Sequence, residues 1–446
     1  MQSTDQSKQI YNKDLVLHVK QKLKDNKITG PVWIGYSGGC DLHVLVDIIA
    51  KILPKQDVFA LHVNHNISSS AKEWESHCQN TSISHGIKFS SHETYPLHEK
   101  GSSLEDKARK CRFNVFCSEV QTNGTLLLAH HLDDQVETIL MRMFKGAGPT
   151  GISGINEYYK YRNINILRPL LEIPKQEIKN YANINNLHWI EDTSNNDCKY
   201  DRNHIRNIVI PNLTAKWPAA KNNIIRTAKH CNEQNIYMQR QCRIILTEIA
   251  DKRSLNIELL AQHDELLQKL IIRNWLHINA LVTPSTKQIE IIFSEIIKAR
   301  QDKKPEIKIN SIFIRRYKNK LYIVNLTHKS YPQDYKEKWL KTEQDISLPL
   351  LGIKLSRNNN IKKESILYND LTIQFRQGGE RLQPNSRTGS HPLKKLMQEW
   401  EIPTWERDKT PLLYFKNELV CVPGYAIAKK YLIDGSRHDD ISLEKV

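Results

Sequence analysis

The chain has 446 residues, 39% of them hydrophobic and 26% charged, with a formal charge of +16 and a pI near 9.3. That length implies two or three domains, and the composition excludes a disordered chain. The eight cysteines include no CxxC pair, which excludes a dense disulfide framework and the usual structural zinc site, so reduced thiols are expected. No run of about 18 apolar residues occurs and the first 25 residues hold no apolar signal region, so a cytoplasmic protein without membrane spans is expected. The excess of positive charge suits a polyanionic partner bound in a salt-sensitive way. A solvated lysine-rich surface explains the same charge, and composition does not separate the two.

The first two hundred residues alternate between strand and helix patterns. Val32–Tyr36 reads as a strand that ends in glycines and opens a helix over about 41–52. Val58–Asn64 is a second strand, followed by an amphipathic stretch over 71–85. Residues 88–94 form a third strand, 104–120 a helix, 126–130 a fourth strand and 132–144 another helix. Alternation at this spacing predicts parallel βαβ units with helices on both sheet faces, and ligands collect at the carboxyl ends of such strands. Helical patterns then cover 217–250, 258–277 and 286–300, and 307–325 reads as a hairpin around Lys318-Asn319-Lys320. The mixed, charged stretch 326–365 is expected to be a connection, and 366–434 a last compact unit with strands near 371–377 and 419–423. The expected organisation is α/β: a parallel-sheet domain over 1–215, a mainly helical domain over 216–325, a connecting segment over 326–365 and a small α+β domain over 366–446.

The loop Ser37-Gly38-Gly39-Cys40-Asp41-Leu42 joins the first strand to its helix. Backbone N–H groups at a helix N-terminus attract anions, and two glycines let the main chain approach closely. Ser37 adds a hydroxyl donor, and Asp41 is the expected Mg²⁺ ligand, since Mg²⁺ takes one or two carboxylates plus phosphate oxygens. Neither GxxxxGK[ST] nor GxGxxG is present, so this is a phosphate loop of another kind. Gly-Gly alone would also fit an ordinary turn. The second strand, however, ends in His62-Val63-Asn64-His65, and the fourth in His130-His131-Leu132-Asp133-Asp134-Gln135-Val136-Glu137-Thr138. On the helix that follows, Leu132, Val136, Ile139, Leu140 and Met143 form an apolar stripe, with His131, Asp134 and Thr138 expected on the opposite, polar face. The candidate ATP-binding set is Ser37, Gly38, Gly39, Cys40, Asp41, Leu42 and His62.

With these residues in view, the chain resembles the PP-loop (N-type) ATP pyrophosphatases, and among them the tRNA(Ile)-lysidine synthases. Ser37–Asp41 is similar to the family's SGGxDS and His130–Thr138 to its HxxDDxxET element. Residues 146–154 resemble the glycine-rich loop that follows, and Arg168-Pro169-Leu170-Leu171 the RPLL strand. Trp189-Ile190-Glu191-Asp192-Thr193-Ser194-Asn195-Asn196-Asp197, with Tyr200-Asp201-Arg202-Asn203 and Arg206, matches the family's most particular signature. Gly379-Glu380-Arg381, Leu393-Lys394-Lys395-Leu396 and Trp405-Glu406-Arg407-Asp408 resemble its C-terminal module.

The resemblance implies a PP-loop ATPase domain and a ligase that uses ATP and Mg²⁺. It also implies an isoleucine tRNA with a CAU anticodon and L-lysine as substrates; the oligomeric state is left open, a homodimer among the options. Asp41, His131, Asp134, Arg109 and Arg112 are the expected catalytic residues. Arg109 and Arg112 lie three apart on one helical face and could hold phosphates. Glu191 and Asp192 are expected to receive the lysine cation or its amine proton. Arg202, Asn203 and Arg206, together with Lys394, Lys395 and Arg407, are expected to contact RNA. Trp400 and Trp405 sit among these tail cations, a pattern that suits RNA as well as a small core. One position departs from the family: Leu42 stands where its serine belongs, which removes a hydroxyl but no backbone donor. The competing readings are another PP-loop tRNA-modifying enzyme such as a thiolase, against which the missing CxxC counts, and a tRNA-binding protein that has lost catalysis.

Overall fold

The computed structural model describes residues 2–66, 70–95, 104–191, 199–251, 253–280, 282–299, 305–325, 331–358, 364–384, 387–432 and 440–445. They divide into two compact units, Met1–Met238 and Gln239–Val446.

In the first unit the chain runs α1 (Gln2–Asp25), β1 (Val32–Gly35), α2 (Cys40–Ile52), β2 (Val58–Asn64), α3 (Ala71–Ser84), β3 (Lys88–Glu93), α4 (Leu104–Glu119), β4 (Thr125–Leu127) and α5 (Leu132–Phe144). It continues through α6 (Pro149–Ile152), β5 (Tyr158–Tyr161), β6 (Ile164–Leu167), α7 (Lys175–Ile184), α8 (Asp201–His204), a π-helical turn (Ile205–Val209), α9 (Ile210–Lys216) and α10 (Ala220–Ile249), which runs on into the second unit. The sheet has the order β3-β2-β1-β4-β6-β5. All its pairings are parallel except the hairpin β5–β6 at one edge.

Every residue of β1 is buried, as a central parallel strand requires. Val32 and Ile34 turn toward α1, α2 and α7, where they meet Leu15, Val19, Val44, Ile48 and Ile178. Trp33 turns the other way, into a cluster with Leu61, Phe116 and Leu126 under α4. Helices therefore cover both faces. The chain builds outward from β1 to β3 and then returns to β4 on the other side of β1, so the strand order reverses between β1 and β4. A crevice opens at the carboxyl ends there.

Three local expectations change. β4 ends at Leu127, which frees His130 and His131 from the strand. Arg168–Leu171 is a turn just beyond β6 rather than a strand. The edge hairpin, reversed at Arg162-Asn163 with φ 52° at Arg162, lies outside the elements expected from the sequence.

Two histidines near this sheet are shielded from water, His43 buried and His130 half-buried. Burial holds His43, on α2, down to about 4, with His77, His85 and His188 adding to the depression and Asp47 opposing it. Burial, then the Arg168 charge, takes His130 down to about 3. Both fold neutral, whereas the unfolded chain protonates near 6.5, so the unfolded state binds more protons in the interval between. Stability is therefore expected to fall as pH drops from about 6.5 toward 4. His85 works in the opposite sense, because its bond to Asp47 raises its pKa. The melting temperature should fall across that acid range; a flat profile there would contradict the assignment.

In the second unit, antiparallel strands over Ser254–Asn256, Lys320–Asn325, Ile312–Tyr317 and Glu306–Ile309 form a sheet packed on helices Glu265–Ala280 and Thr286–Ile291. The expected hairpin around Lys318–Lys320 is thus present. The stretch expected as a connection instead carries strands Lys336–Trp339, Asp345–Leu348 and Ile353–Arg357. Their Trp339, Leu348, Ile353 and Leu355 share one core with Leu371, Ile373, Leu413 and Val420. Charge hid these strands because each has one solvated face, the ordinary pattern of antiparallel sheet. The remainder adds antiparallel strands and the short helices Leu393–Glu399 and Thr404–Arg407.

Candidate active site

At the carboxyl end of β1, Gly38 has φ +84°, a region that side chains avoid. A Cβ there would stand 3.1 Å from the Cys78 Sγ and 3.2 Å from the Ile190 Cδ1. The carbonyl of Gly38 accepts a hydrogen bond of 3.0 Å from the Ile190 N–H, which lays the 187–191 stretch along the loop. Gly39 differs: it is the N-cap of α2 at φ −72°, and a Cβ there would meet nothing closer than 3.8 Å. No side chain caps α2, so its first-turn N–H groups face the crevice as an anion nest. Gly38→Ala is therefore expected to cost about 1–2 kcal/mol and to weaken nucleotide binding, while Gly39→Ala does little. Parallel melting and ATP titrations of the two variants check this contrast.

Cys40 is buried, and burial pushes its thiol up to about 11 despite the nearby Lys175 charge. It therefore stays protonated at neutral pH and is no nucleophile. Leu42 packs against the core of α1, α2 and α7. The side chain that replaces the family's serine thus contributes to packing, not to the loop.

Strand β4 is β1's neighbour at the switch point, so the start of α5 lies beside the loop. A reciprocal cap holds it: the Asp134 N–H donates to His131 Nδ1 at 3.4 Å, and the His131 N–H donates to Asp134 Oδ2 at 3.0 Å. His131 Nε2 then lies 3.6 Å from Asp41 Oδ2 and 3.4 Å from Asp134 Oδ2. Asp41 also forms an ion pair with the Lys175 ammonium, at the first residue of α7. Asp133 accepts from the Lys175 backbone N–H at 2.9 Å and pairs with Lys221.

The acids on the polar face of α5 are covered too: the apolar stripe at Val136 and Leu140 packs on Ile205 and Ile210, and Arg202 and Arg206 from the same segment pair with the buried Asp134 and Glu137. Glu137 is fully buried, with Arg202 Nε at 2.7 Å on one oxygen and Arg206 Nε at 2.6 Å on the other. Arg202 also reaches Asp134 at 2.7 Å. Burial raises the pKa of Asp134, but His131, Arg202 and His130 outweigh it and leave the carboxyl below its ordinary value. The two arginines expected on RNA or phosphate are therefore committed to an acid pair. The π-helical turn at Ile205–Val209, the strained helix form that recurs at functional sites, lies within this segment.

The structure thus gathers Asp41, His131, Asp134, Arg202 and Arg206 into one crevice. His62 is buried nearby, its Nδ1 donating to the Tyr36 carbonyl at 2.9 Å. Arg109 and Arg112 are exposed on α4, with Arg109 over the Phe113 ring at 5.5 Å. Glu191 is exposed, Asn203 is half-buried and Asp192 lies outside the described residues. Sequence reading passed over Glu137, Asp133, Lys175 and Lys221 as site residues. Glu137 carried a signal, since it stands one turn after Asp134 on the same helical face.

The tail cations belong to the second unit. Lys394 and Lys395 are exposed. Arg407 is not the surface contact expected of it: the residue is buried, donating from Nε to the Ile402 carbonyl and from Nη2 to the Tyr317 hydroxyl, each at 3.0 Å. Trp405 packs edge-on against Tyr317 and Tyr322, with the Arg315 guanidinium 5.3 Å from its ring centre. Both residues serve the packing of this tail helix on the hairpin.

Among the described residues no group of three or more His, Cys, Asp or Glu is arranged for a metal ion. Mg²⁺, which asks for one or two carboxylates and completes its shell with phosphate oxygens and water, fits Asp41 beside the nest.

A parallel sheet with an uncapped helix N-terminus at its switch point defines an α/β domain of the nucleotide-binding kind. Residues 11–213 match the family model described as the PP-loop domain, 255–322 the TilS substrate binding domain and 371–442 the TilS substrate C-terminal domain. The chain is 36% identical over 411 residues to the tRNA(Ile)-lysidine synthase of Coxiella burnetii, covering 90% of each chain. It is 35% identical over 405 residues to that of Legionella pneumophila strain Paris, covering 89% of this chain and 91% of the relative. Against the Vibrio cholerae strain O395 synthase it is 34% identical over 419 residues, covering 92% and 93%. The chain belongs to the tRNA(Ile)-lysidine synthase family.

Proposed function

We propose that this chain is an ATP-dependent ligase that joins L-lysine to C2 of the wobble cytidine in a CAU-anticodon isoleucine tRNA, giving lysidine, AMP and pyrophosphate. The observation that carries this reading is the similarity at 36% identity along 90% of the chain, through the PP-loop domain and both substrate domains. In the first step the cytosine O2 attacks the α-phosphorus of ATP and the bond to the departing pyrophosphate breaks. In the second the lysine amine adds at C2, the C2–O bond breaks with its electrons going to AMP, and the amine gives up a proton. A carbonyl oxygen is a poor leaving group until it is adenylated, which is why ATP is needed.

The nest at 37–41 anchors the β,γ-phosphates so that the α-phosphorus is presented in line. Asp41 would hold Mg²⁺, which when bound neutralises charge on those phosphates. His131 and Asp134 line the nucleotide side, and Glu137 fixes the planes of Arg202 and Arg206 beside them. Glu191 and Asp192 receive the lysine cation. Arg109, Arg112 and Asn203, and in the second unit Lys394 and Lys395, meet phosphates of nucleotide or RNA, in keeping with the charge of +16. Arg407 is left out of this set. The protonated Cys40 thiol disfavours a cysteine-based thiolase.

The test is incubation with ATP, Mg²⁺, labelled lysine and the tRNA transcript. Label should appear in the RNA; folded, tRNA-bound protein that transfers none would overturn the reading.

A further inference from the structure

We propose that Lys175 is a further pyrophosphate-binding residue of this site, parked on Asp41 until nucleotide arrives; the proposal rests on the ATP-using reading above. The main chain of Lys175 is fixed. It opens α7 behind Pro174, and its N–H donates to Asp133 Oδ2 at 2.9 Å. The other Asp133 oxygen is taken by Lys221, so each oxygen of that carboxylate already has a cationic or N–H partner. The ammonium is held differently. Its ion-pair partner is Asp41, the carboxylate at the N-terminus of α2, and the two side chains are 30% and 26% exposed. A pair this open to water is weak and exchanges readily.

The same charge is felt inside the loop. At the Cys40 thiol the Lys175 charge works against the rise that burial causes. Helix α7 thus brings one cation, Lys175, onto the carboxylate of the phosphate loop.

Asp41 cannot serve Lys175 and a divalent cation equally. When the carboxylate is taken over, an ammonium on a flexible four-carbon stem needs another anion, and the nest beside it is where the β,γ-phosphates bind. Charge grows on the pyrophosphate as its bond to the α-phosphorus breaks and the electron pair moves onto its oxygen. A cation that moves with that charge favours the transition state over bound ATP. Lys175 thereby keeps Asp41 neutralised in the empty site and steadies the leaving group in the filled one.

The experiment uses the full chain and Lys175→Ala, with Lys175→Arg as the charge-conserving variant and Lys175→Met as a variant that keeps the stem should alanine perturb folding. Binding of inorganic pyrophosphate without Mg²⁺, followed by calorimetry, should weaken by about 10- to 100-fold on loss of the charge, and by no more than about threefold for arginine. The half-saturating Mg²⁺ concentration for AMP formation should fall in the alanine variant, because Asp41 is released. A purely structural lysine would not move these two readings in opposite directions. Wild-type protein that binds pyrophosphate, with alanine and methionine variants that bind it equally well, overturns the role of Lys175 alone. Wild-type protein that binds neither pyrophosphate nor ATP overturns that role and the ATP-using reading together.

Discussion

Asp41→Asn is expected to lower pyrophosphate release from ATP by about 10²–10³-fold while leaving the fold intact. The side chain is 26% exposed and lies outside the apolar cores, so its replacement by an amide of the same shape opens no cavity. Its lost interaction with the N-terminus of α2 is worth only about 0.3–1 kcal/mol. What disappears is the one negative charge of the phosphate loop. That charge is the expected Mg²⁺ ligand and the partner of Lys175, and it lies 3.6 Å from His131 Nε2. The deficit should appear in AMP formation with tRNA and ATP, and tRNA binding should be unchanged. Activity within about threefold of wild type would remove Asp41 from the chemistry.

Glu137→Ala is expected to be the most destabilising single change in the site. Its carboxylate is fully buried and receives Nε of both Arg202 and Arg206. Removing one partner of a buried ion pair costs about 3–5 kcal/mol, because the remaining charges lose their solvation and gain nothing. Arg202 and Arg206 are 27% and 36% exposed and recover some hydration, so the lower end applies. At about 3 kcal/mol, a unit of this size should melt roughly 6–12 °C lower. Activity should fall as well, since Arg202 and Arg206 lose the anchor that aims them. A thermal scan with a double-mutant cycle against Arg206→Ala measures the coupling; an unchanged melting temperature would contradict the buried network.

The two predictions fall on opposite sides of what the sequence revealed. Asp41 was legible because the strand–glycine–helix pattern is local: chirality and the helix terminus decide what a loop of that kind can hold, whatever else the chain does. The same locality made β1, β2 and α5 readable to within a residue or so. Glu137 stood in the quoted motif but was passed over, because a helix face is read as solvated until something is known to cover it. The cover is Arg202 and Arg206, some sixty-five to seventy residues further on. Lys175 carried no signal at all: its ammonium meets Asp41 across 134 residues, and no periodicity encodes such a contact. Arg407 shows the reverse error, a basic residue among aromatics that reads as an RNA contact until the hairpin closes over it.

The sequence by itself determined the alternation of elements, the phosphate loop at the carboxyl end of the first strand and the family the chain belongs to, since each depends on neighbouring residues and their order. Only the tertiary structure decided which charges are spent on one another. The pairing of Asp41 with Lys175, of Asp133 with Lys221, and of Glu137 with two arginines is set by how α2, α5, α7, the start of α10 and the 201–209 segment pack. Electrostatic energy depends on distance and burial, and neither is written along the chain.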